Sequence, residues 1–173
     1  MAARTGSRLT MKRPQLPAGF TLIELLVVLA VVAILAMIAL PNMQDRLVRD
    51  QIVEAARLAD VAKAPVAAAW KASRILPPDN ASAGLPAAER IVGNLVSAVR
   101  VEGGAVHLTF GNRAHATLQG KTLSFRPGVI DEAAVVPVAW VCAGASAPAQ
   151  MTVYGTNRTD VPARFLPLNC RSR

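Results

Sequence analysis

Aromatic residues are scarce in this 173-residue sequence, making up 4% of it, although hydrophobic residues make up 53%. An apolar excess without aromatics indicates one aliphatic run rather than an unusually large soluble core. The run extends over residues 20–40, where Glu24 is the only charged residue. At about 1.5 Å per residue, a helix of this length crosses a hydrocarbon layer of about 30 Å.

Residue types that carry catalysis or bind metals are also rare. The two histidines, His107 and His115, and the two cysteines, Cys142 and Cys170, lack the spacing of a zinc site. The sequence contains no Ser/His/Asp or Cys/His arrangement and no glycine-rich phosphate loop. We therefore expect a protein that is not an enzyme, with no catalytic residue, no metal site and no cofactor.

Negative charge is missing from the segment before the apolar run. Residues 1–19 carry Arg4, Arg8, Lys12 and Arg13 and no acidic residue, within a chain of net charge +8. Basic residues beside a membrane helix stay on the cytoplasmic side. This charge distribution predicts that everything after the run is exported.

Export bears on the two cysteines, because thiols outside the cytoplasm meet an oxidising environment. An even number of cysteines there predicts one disulfide, Cys142–Cys170. It would close a loop of about 29 residues and stabilise the fold by about 3.5 kcal/mol in the chain-entropy treatment. Two unpaired buried thiols are the alternative.

Glu24 is the informative residue of the apolar run. A carboxylate at the middle of a membrane helix costs about 2.5–3.5 kcal/mol, so it needs a partner or a function. The nearest basic residue after it is Arg46. An ordinary signal peptide has a shorter apolar region that ends in a small-residue cleavage site. A plain membrane anchor is a second alternative, but it leaves Glu24 unexplained.

The residues around Glu24 carry a family resemblance. The sequence Gly19-Phe20-Thr21-Leu22-Ile23-Glu24-Leu25-Leu26 resembles the class III signal peptide of type IV pilins. The resemblance implies that a prepilin peptidase removes residues 1–19, cutting between Gly19 and Phe20, and N-methylates Phe20. Met11 offers an internal start that would shorten this leader.

The same resemblance implies roles in assembly for two further positions. Glu24 of one subunit would pair with the Phe20 amine of its neighbour in the filament. Pro41 removes a backbone donor and should kink or locally melt the helix, as in pilins, where this segment loses helicity on assembly. We therefore expect residues 20–40 to form a transmembrane and filament-core helix.

The remainder of the chain predicts an α+β fold. Apolar residues that recur mostly at spacings of three, four and one, with charged residues between them, predict an amphipathic helix over residues 41–73, ending near Ser73. Residues 74–173 predict a globular β domain with a loop bounded by the disulfide at residues 142–170. Period-two patterns predict a roughly four-stranded antiparallel sheet covered by the helix, with strands at 96–101, 105–110, 122–126 and 138–142.

This part of the chain also resembles a major type IV pilin. The features that carry the likeness are Gly93-Asn94, Gly103-Gly104, Gly120-Lys121-Thr122-Leu123 and Trp140-Val141-Cys142. The resemblance implies a pilin fold and a homo-oligomeric helical filament. It implies prepilin peptidase, the inner membrane and the pilus assembly machinery as partners. The precursor would lie in the inner membrane and the assembled subunit in an extracellular pilus.

Two other members of the same fold group are alternatives. A DNA-binding minor pilin would use the basic C-terminal residues Arg158, Arg164, Arg171 and Arg173 to contact phosphates. A type II secretion pseudopilin shares the processing site, but the two cysteines argue against it. Adhesion to host-surface ligands, twitching motility and DNA uptake are all compatible with the sequence.

Overall fold

The computed structural model describes residues 19–172, with the backbone alone at residues 40–42. The predicted leader other than Gly19, and Arg173, lie outside the described residues. The chain divides into two units at the boundary between Leu40 and Pro41.

Helix α1 (Leu22–Leu58) begins in the first unit and contains the apolar run from Leu22 onward. Between Leu22 and Ala39 every side chain is exposed within this subunit. It is the one helix among the described residues that is long and apolar enough to cross a membrane. The backbone is α-helical at Pro41 and on both sides of it, so the subunit does not show the local melting that the sequence allowed. Loss of helicity on assembly concerns the filament and stays a prediction.

Helix α2 (Asp60–Ser73) follows α1 after an interruption at Ala59 and ends where the sequence placed the helix end. Its last residue is followed by Arg74 in a left-handed conformation with φ 58°. Buried positions recur every three or four residues along both helices, which is the spacing of one helical face. They are Val48, Ile52, Ala55, Ala59, Ala62, Val66 and Trp70.

The sheet is antiparallel, with strand order β1-β2-β3-β4. Its strands are β1 (Val96–Glu102), β2 (Ala105–Phe110), β3 (Thr122–Val129), β4 (Ala139–Cys142) and β5 (Thr152–Val153). Gly103 and Gly104 join β1 to β2 with φ of 54° and 80°, the positive pair that a two-residue hairpin turn requires. Short 3-10 helices occupy Ala88–Arg90 and Leu168–Cys170.

Two features of the sheet differ from the prediction. No sequence pattern indicated β5, which has two residues and pairs with β3 where β2 has ended. Strand β3 also continues beyond Pro127, where the prediction ended it. The Pro127 carbonyl accepts a hydrogen bond from the Tyr154 N–H at 3.0 Å. The nitrogen of Pro127 carries no hydrogen and faces the same side of β3, in the gap between β2 and β5. No strand-to-strand hydrogen bond is therefore lost there.

One face of the sheet packs on the helices, and the two together enclose the core of the second unit. Register places Val99 opposite Leu108, and Leu108 opposite Leu123, on this face. All three side chains are fully buried together with Ile52 and Val66 of the helices. The fold is therefore the predicted α+β arrangement, with five strands rather than four.

Candidate functional site

The start of α1 is a capped helix end. Thr21 precedes the helix, and its hydroxyl oxygen accepts the Glu24 N–H at 3.3 Å. Thr21 and Glu24 have the Ser/Thr-x-x-Glu spacing of a capping box, and Glu24 lies in the first turn. The positive end of the helix dipole stabilises a carboxylate at this place. The local sequence therefore places Glu24 in the first turn of the helix.

Gly19 and Phe20 stand immediately before this cap. A Cβ atom built on Gly19 meets nothing within 4 Å among the described residues. The fold of the subunit therefore does not require glycine at this position. Phe20 is 80% exposed. Both residues are exposed in the described part of the subunit.

Glu24 has no cationic partner in the described part of the subunit. The four ion pairs found there all belong to the second unit: Lys63–Asp60, Arg100–Glu89, Lys121–Asp160 and Arg158–Glu102. The side chain of Glu24 is exposed at the end of an apolar helix. Its carboxylate is available to a cation from outside the subunit.

The disulfide joins Cys142 at the end of β4 to Cys170 in the second 3-10 helix. Both cysteines are buried, and none is free among residues 19–172. The predicted pairing is therefore confirmed, and the unpaired-thiol alternative is wrong.

Inside this loop, residues 154–160 form a strap that crosses the outer face of the sheet. The strap begins on the β2 side of β3, where Tyr154 bonds to Pro127. It ends on the opposite side, where the Asp160 carboxylate accepts the Thr122 N–H at 2.6 Å. Between these points the Arg158 N–H donates to Ser124 Oγ at 2.9 Å. Sequence reasoning missed this crossing, for which the Gly in Tyr154-Gly155-Thr156 was the available signal.

His107 lies beneath the strap and is 3% exposed. Its Nδ1 is 2.9 Å from Ser124 Oγ, and its Nε2 has no partner among the described residues. Burial lowers the pKa of His107, with a smaller lowering from Arg158 and Arg100 and an opposing effect of Glu102. His107 is therefore a packed neutral residue. The other histidine, His115, is exposed and bonds to Thr117.

The arginines in the disulfide loop and just after it make contacts within the subunit. Arg158 pairs with Glu102 through its side chain. Arg171 donates from Nε to the Leu166 carbonyl at 2.9 Å and from Nη2 to the Arg164 carbonyl at 3.1 Å. The Arg164 guanidinium lies over the Phe165 ring, 4.5 Å from its centroid. These residues do not form one open basic strip, and the described residues contain no group of His, Cys, Asp and Glu that could hold a metal ion.

Comparisons with known proteins cover both units. The family described as Pilin (bacterial filament) matches residues 48–171, and the prokaryotic N-terminal methylation motif matches residues 17–40. The chain is 36% identical over 162 residues to the type IV major pilin protein PilE1 of Neisseria gonorrhoeae, covering 90% of this chain and 88% of that protein.

Two other relatives agree with this match. A type IV major pilin protein PilE of Neisseria gonorrhoeae is 40% identical over 110 residues, covering 63% of this chain and 66% of that protein. The fimbrial protein EcpC of Eikenella corrodens is 32% identical over 161 residues, covering 91% and 93%. The DNA-binding minor pilin and the pseudopilin are not favoured. The chain belongs to the type IV pilins, the structural subunits of bacterial pilus filaments, with a membrane-anchored precursor and an extracellular assembled form.

Proposed function

We propose that this pilin is cut between Gly19 and Phe20, N-methylated at Phe20, and assembled through a pair between Glu24 and the Phe20 amine of a neighbouring subunit. The observation that carries the proposal is the position of Glu24. It is an acidic residue at the capped start of an apolar helix, with no cationic partner among the described residues.

Cleavage would supply the missing cation. Removal of residues 1–19 leaves a free amine on Phe20, one helical turn before Glu24 along the chain. The pair forms between subunits because an amine and a carboxylate buried separately in an apolar filament core are both costly. At 4 Å and an effective dielectric of about 20, such a pair attracts by about 4 kcal/mol. That attraction favours one axial register between neighbouring helices.

The names of the relatives are relevant to whether this chain is a major or a minor subunit of the filament. Two of them are major pilins, and the likeness extends over most of this chain. We therefore propose that this chain is a principal subunit rather than a minor component. Adhesion, twitching motility and DNA uptake are functions of the assembled filament that this proposal leaves to experiment.

The first test concerns processing. Gly19→Val should block cleavage, because the bulky side chain obstructs the peptidase while the subunit has free space around this position. The mass of the N-terminal peptide distinguishes precursor from methylated Phe20. A Gly144→Val variant is the control, since Gly144 is exposed, has only ordinary van der Waals contacts around its Cβ position and lies in the second unit. Normal cleavage of Gly19→Val would refute the assigned bond.

The second test separates processing from assembly. Glu24→Gln keeps the shape of the side chain and removes its charge, so processing should continue while sheared surface filaments fall at least about tenfold, as loss of a buried pair predicts. Glu54→Gln, an exposed change on the same helix, controls for the loss of one negative charge. Normal piliation by Glu24→Gln would contradict the pairing.

The proposal that this chain is a principal subunit has its own test. Filaments sheared from cells that make the unaltered protein should contain this chain as the dominant band.

A further inference from the structure

Four arginines of the second unit lie on neighbouring segments where α1 meets the disulfide loop. They are Arg46 and Arg49 of α1, which line one surface indentation, Arg164 of the loop, and Arg171, which follows Cys170. Arg49 Nε donates to the Arg164 carbonyl at 3.2 Å, and Arg171 Nη2 donates to the same oxygen at 3.1 Å. Two guanidinium groups thus share one neutral acceptor. We call these four residues the arginine cluster.

The cluster lacks compensating ion pairs. None of its four guanidinium groups belongs to an ion pair within residues 19–172. Arg46 and Arg49 line a surface indentation with Met43 and Asp45, and Asp45 is the acidic residue of that indentation. Arg46 and Arg164 are exposed. The four guanidinium groups therefore outnumber the acidic residues beside them along α1, which are Asp45 and the exposed Asp50.

The chemistry of the cluster favours phosphate. A guanidinium presents planar paired donors that fit phosphate oxygens, and it is weakly hydrated, so it gives up water readily. The Arg49 and Arg171 guanidinium groups, which share the Arg164 carbonyl, repel each other, and an anion beside them offsets that repulsion. The fitting ligand is a phosphodiester or phosphomonoester rather than an apolar group.

The place of the cluster in the chain points to the source of that phosphate. Five residues separate Leu40, the end of the apolar run, from Arg46. Arg46 therefore stays within five residues of the apolar run, whatever the arrangement of the two units. Basic residues that adjoin a membrane helix are attracted to anionic lipids over about one Debye length. Stacking with nucleic-acid bases has little support, because Phe165 of this surface is buried beneath Arg164.

We propose that the arginine cluster binds the phosphate headgroups of anionic phospholipids while the precursor is anchored in the membrane. The inference rests on the membrane-anchored precursor, not on the cleavage site or on the pairing of Glu24. Lipid binding would hold the second unit at the bilayer surface before the subunit is taken into a filament, and extraction would release it.

The test is lipid binding by the full-length precursor in detergent, measured by native mass spectrometry. The protein is titrated with dioleoylphosphatidylglycerol and, separately, with dioleoylphosphatidylcholine. The R46Q/R164Q variant removes two exposed charges whose side chains donate no hydrogen bond among the described residues. R90Q/R113Q removes two exposed charges elsewhere. The basic leader residues are common to all these proteins, so the comparison isolates the cluster.

We expect R46Q/R164Q to lose affinity for phosphatidylglycerol by about fivefold for each arginine removed, with phosphatidylcholine unchanged. R90Q/R113Q should bind as the unaltered chain does, and R46K/R164K, which keeps the charge but lacks the paired donors, should lose less affinity than R46Q/R164Q. An equal loss in R90Q/R113Q, or unchanged selectivity in R46Q/R164Q, would overturn the proposal. Loss of duplex DNA binding at low salt with intact lipid binding would also overturn it, in favour of a nucleic acid. Normal filaments with unchanged lipid selectivity would refute this inference alone.

Discussion

The side chain of Asn80 pairs with the backbone of Val101 as a neighbouring strand would. Its Oδ1 accepts the Val101 N–H at 2.7 Å, and its Nδ2 donates to the Val99 carbonyl at 3.0 Å. Strand β1 is at the edge of the sheet, where unpaired backbone groups invite pairing with another chain. Asn80 thus closes part of that edge, with a further bond to the Pro86 carbonyl that holds the preceding loop.

Asn80→Ala should destabilise the second unit by about 2–4 kcal/mol, because it leaves buried backbone groups of β1 without partners. Thermal unfolding of the full chain in detergent measures the loss. Asn94→Ala is the control, since Asn94 is exposed and its side chain makes no hydrogen bond among residues 19–172. Equal unfolding temperatures for the two variants would show that the Asn80 contacts contribute nothing.

The contacts of Asn80 with strand β1 could not be predicted from the sequence. In the sequence Asn80 stands in a loop rich in Pro, Ala and Gly, which predicts turns and nothing about the strand that the loop covers. The hairpin at Gly103–Gly104 and the strands on either side of it were predictable, because local backbone requirements and period-two alternation define them. The Asn80 side chain bonds to a strand edge 21 residues away in the chain, and such a contact leaves no local pattern.

The same distinction applies to the candidate site. Glu24 was singled out from the sequence because a charge within an apolar run is a local anomaly, and Gly19 and Phe20 because they resemble a class III signal peptide; the roles of all three stay predictions. The Thr21 cap could have been found from its spacing to Glu24. The arginine cluster could not, because Arg49 and Arg164 are 115 residues apart and meet only through the fold. The sequence had grouped Arg164 and Arg171 with Arg158 and Arg173 as possible DNA contacts, and the structure pairs Arg158 with Glu102.

His107 makes the second unit sensitive to acid. Burial, the main cause, holds its pKa below the ordinary value of about 6.5, and Arg158 and Arg100 lower the pKa further, against Glu102. At pH values between the lowered pKa and the ordinary one, His107 is therefore protonated in the unfolded chain and neutral in the folded chain. Stability from this residue is complete above pH 6.5 and is lost as pH falls toward the folded pKa.

Replacing His107 by Gln, which can still bond to Ser124, should flatten the fall in unfolding temperature between pH 7.5 and about 5, the range in which an ordinary imidazole titrates. His115→Gln should leave the fall intact, because His115 is exposed. The measurement is the difference in unfolding temperature between the two pH values for each protein. Identical differences in all three proteins would rule out His107 as the acid-sensitive group.

Gly155 sets how closely the strap approaches the sheet. A Cβ atom there would lie 2.6 Å from Ala105 Cβ, and the residue has φ +81°. Gly120 has φ +70° and nothing within 4 Å, so Gly120→Ala measures backbone strain alone, about 1–2 kcal/mol. Gly155→Ala should cost more, because the strap must also lift from β2. Equal losses of unfolding free energy in the two variants would show that contact with Ala105 is unimportant.

The disulfide should matter most for the strap, because Cys142 and Cys170 close the loop that contains it. A double Cys142→Ala/Cys170→Ala change leaves no unpaired thiol and should cost roughly 3–4 kcal/mol, since the unfolded chain gains the freedom of an open loop. Amide exchange locates the effect. The N–H groups of Arg158 and Asp160, which bond to β3, should lose protection before those of the β1–β2 ladder, because the strap can open locally while the ladder stays closed. Uniform loss of protection across the sheet would show instead that the bond stabilises the whole unit and not the strap.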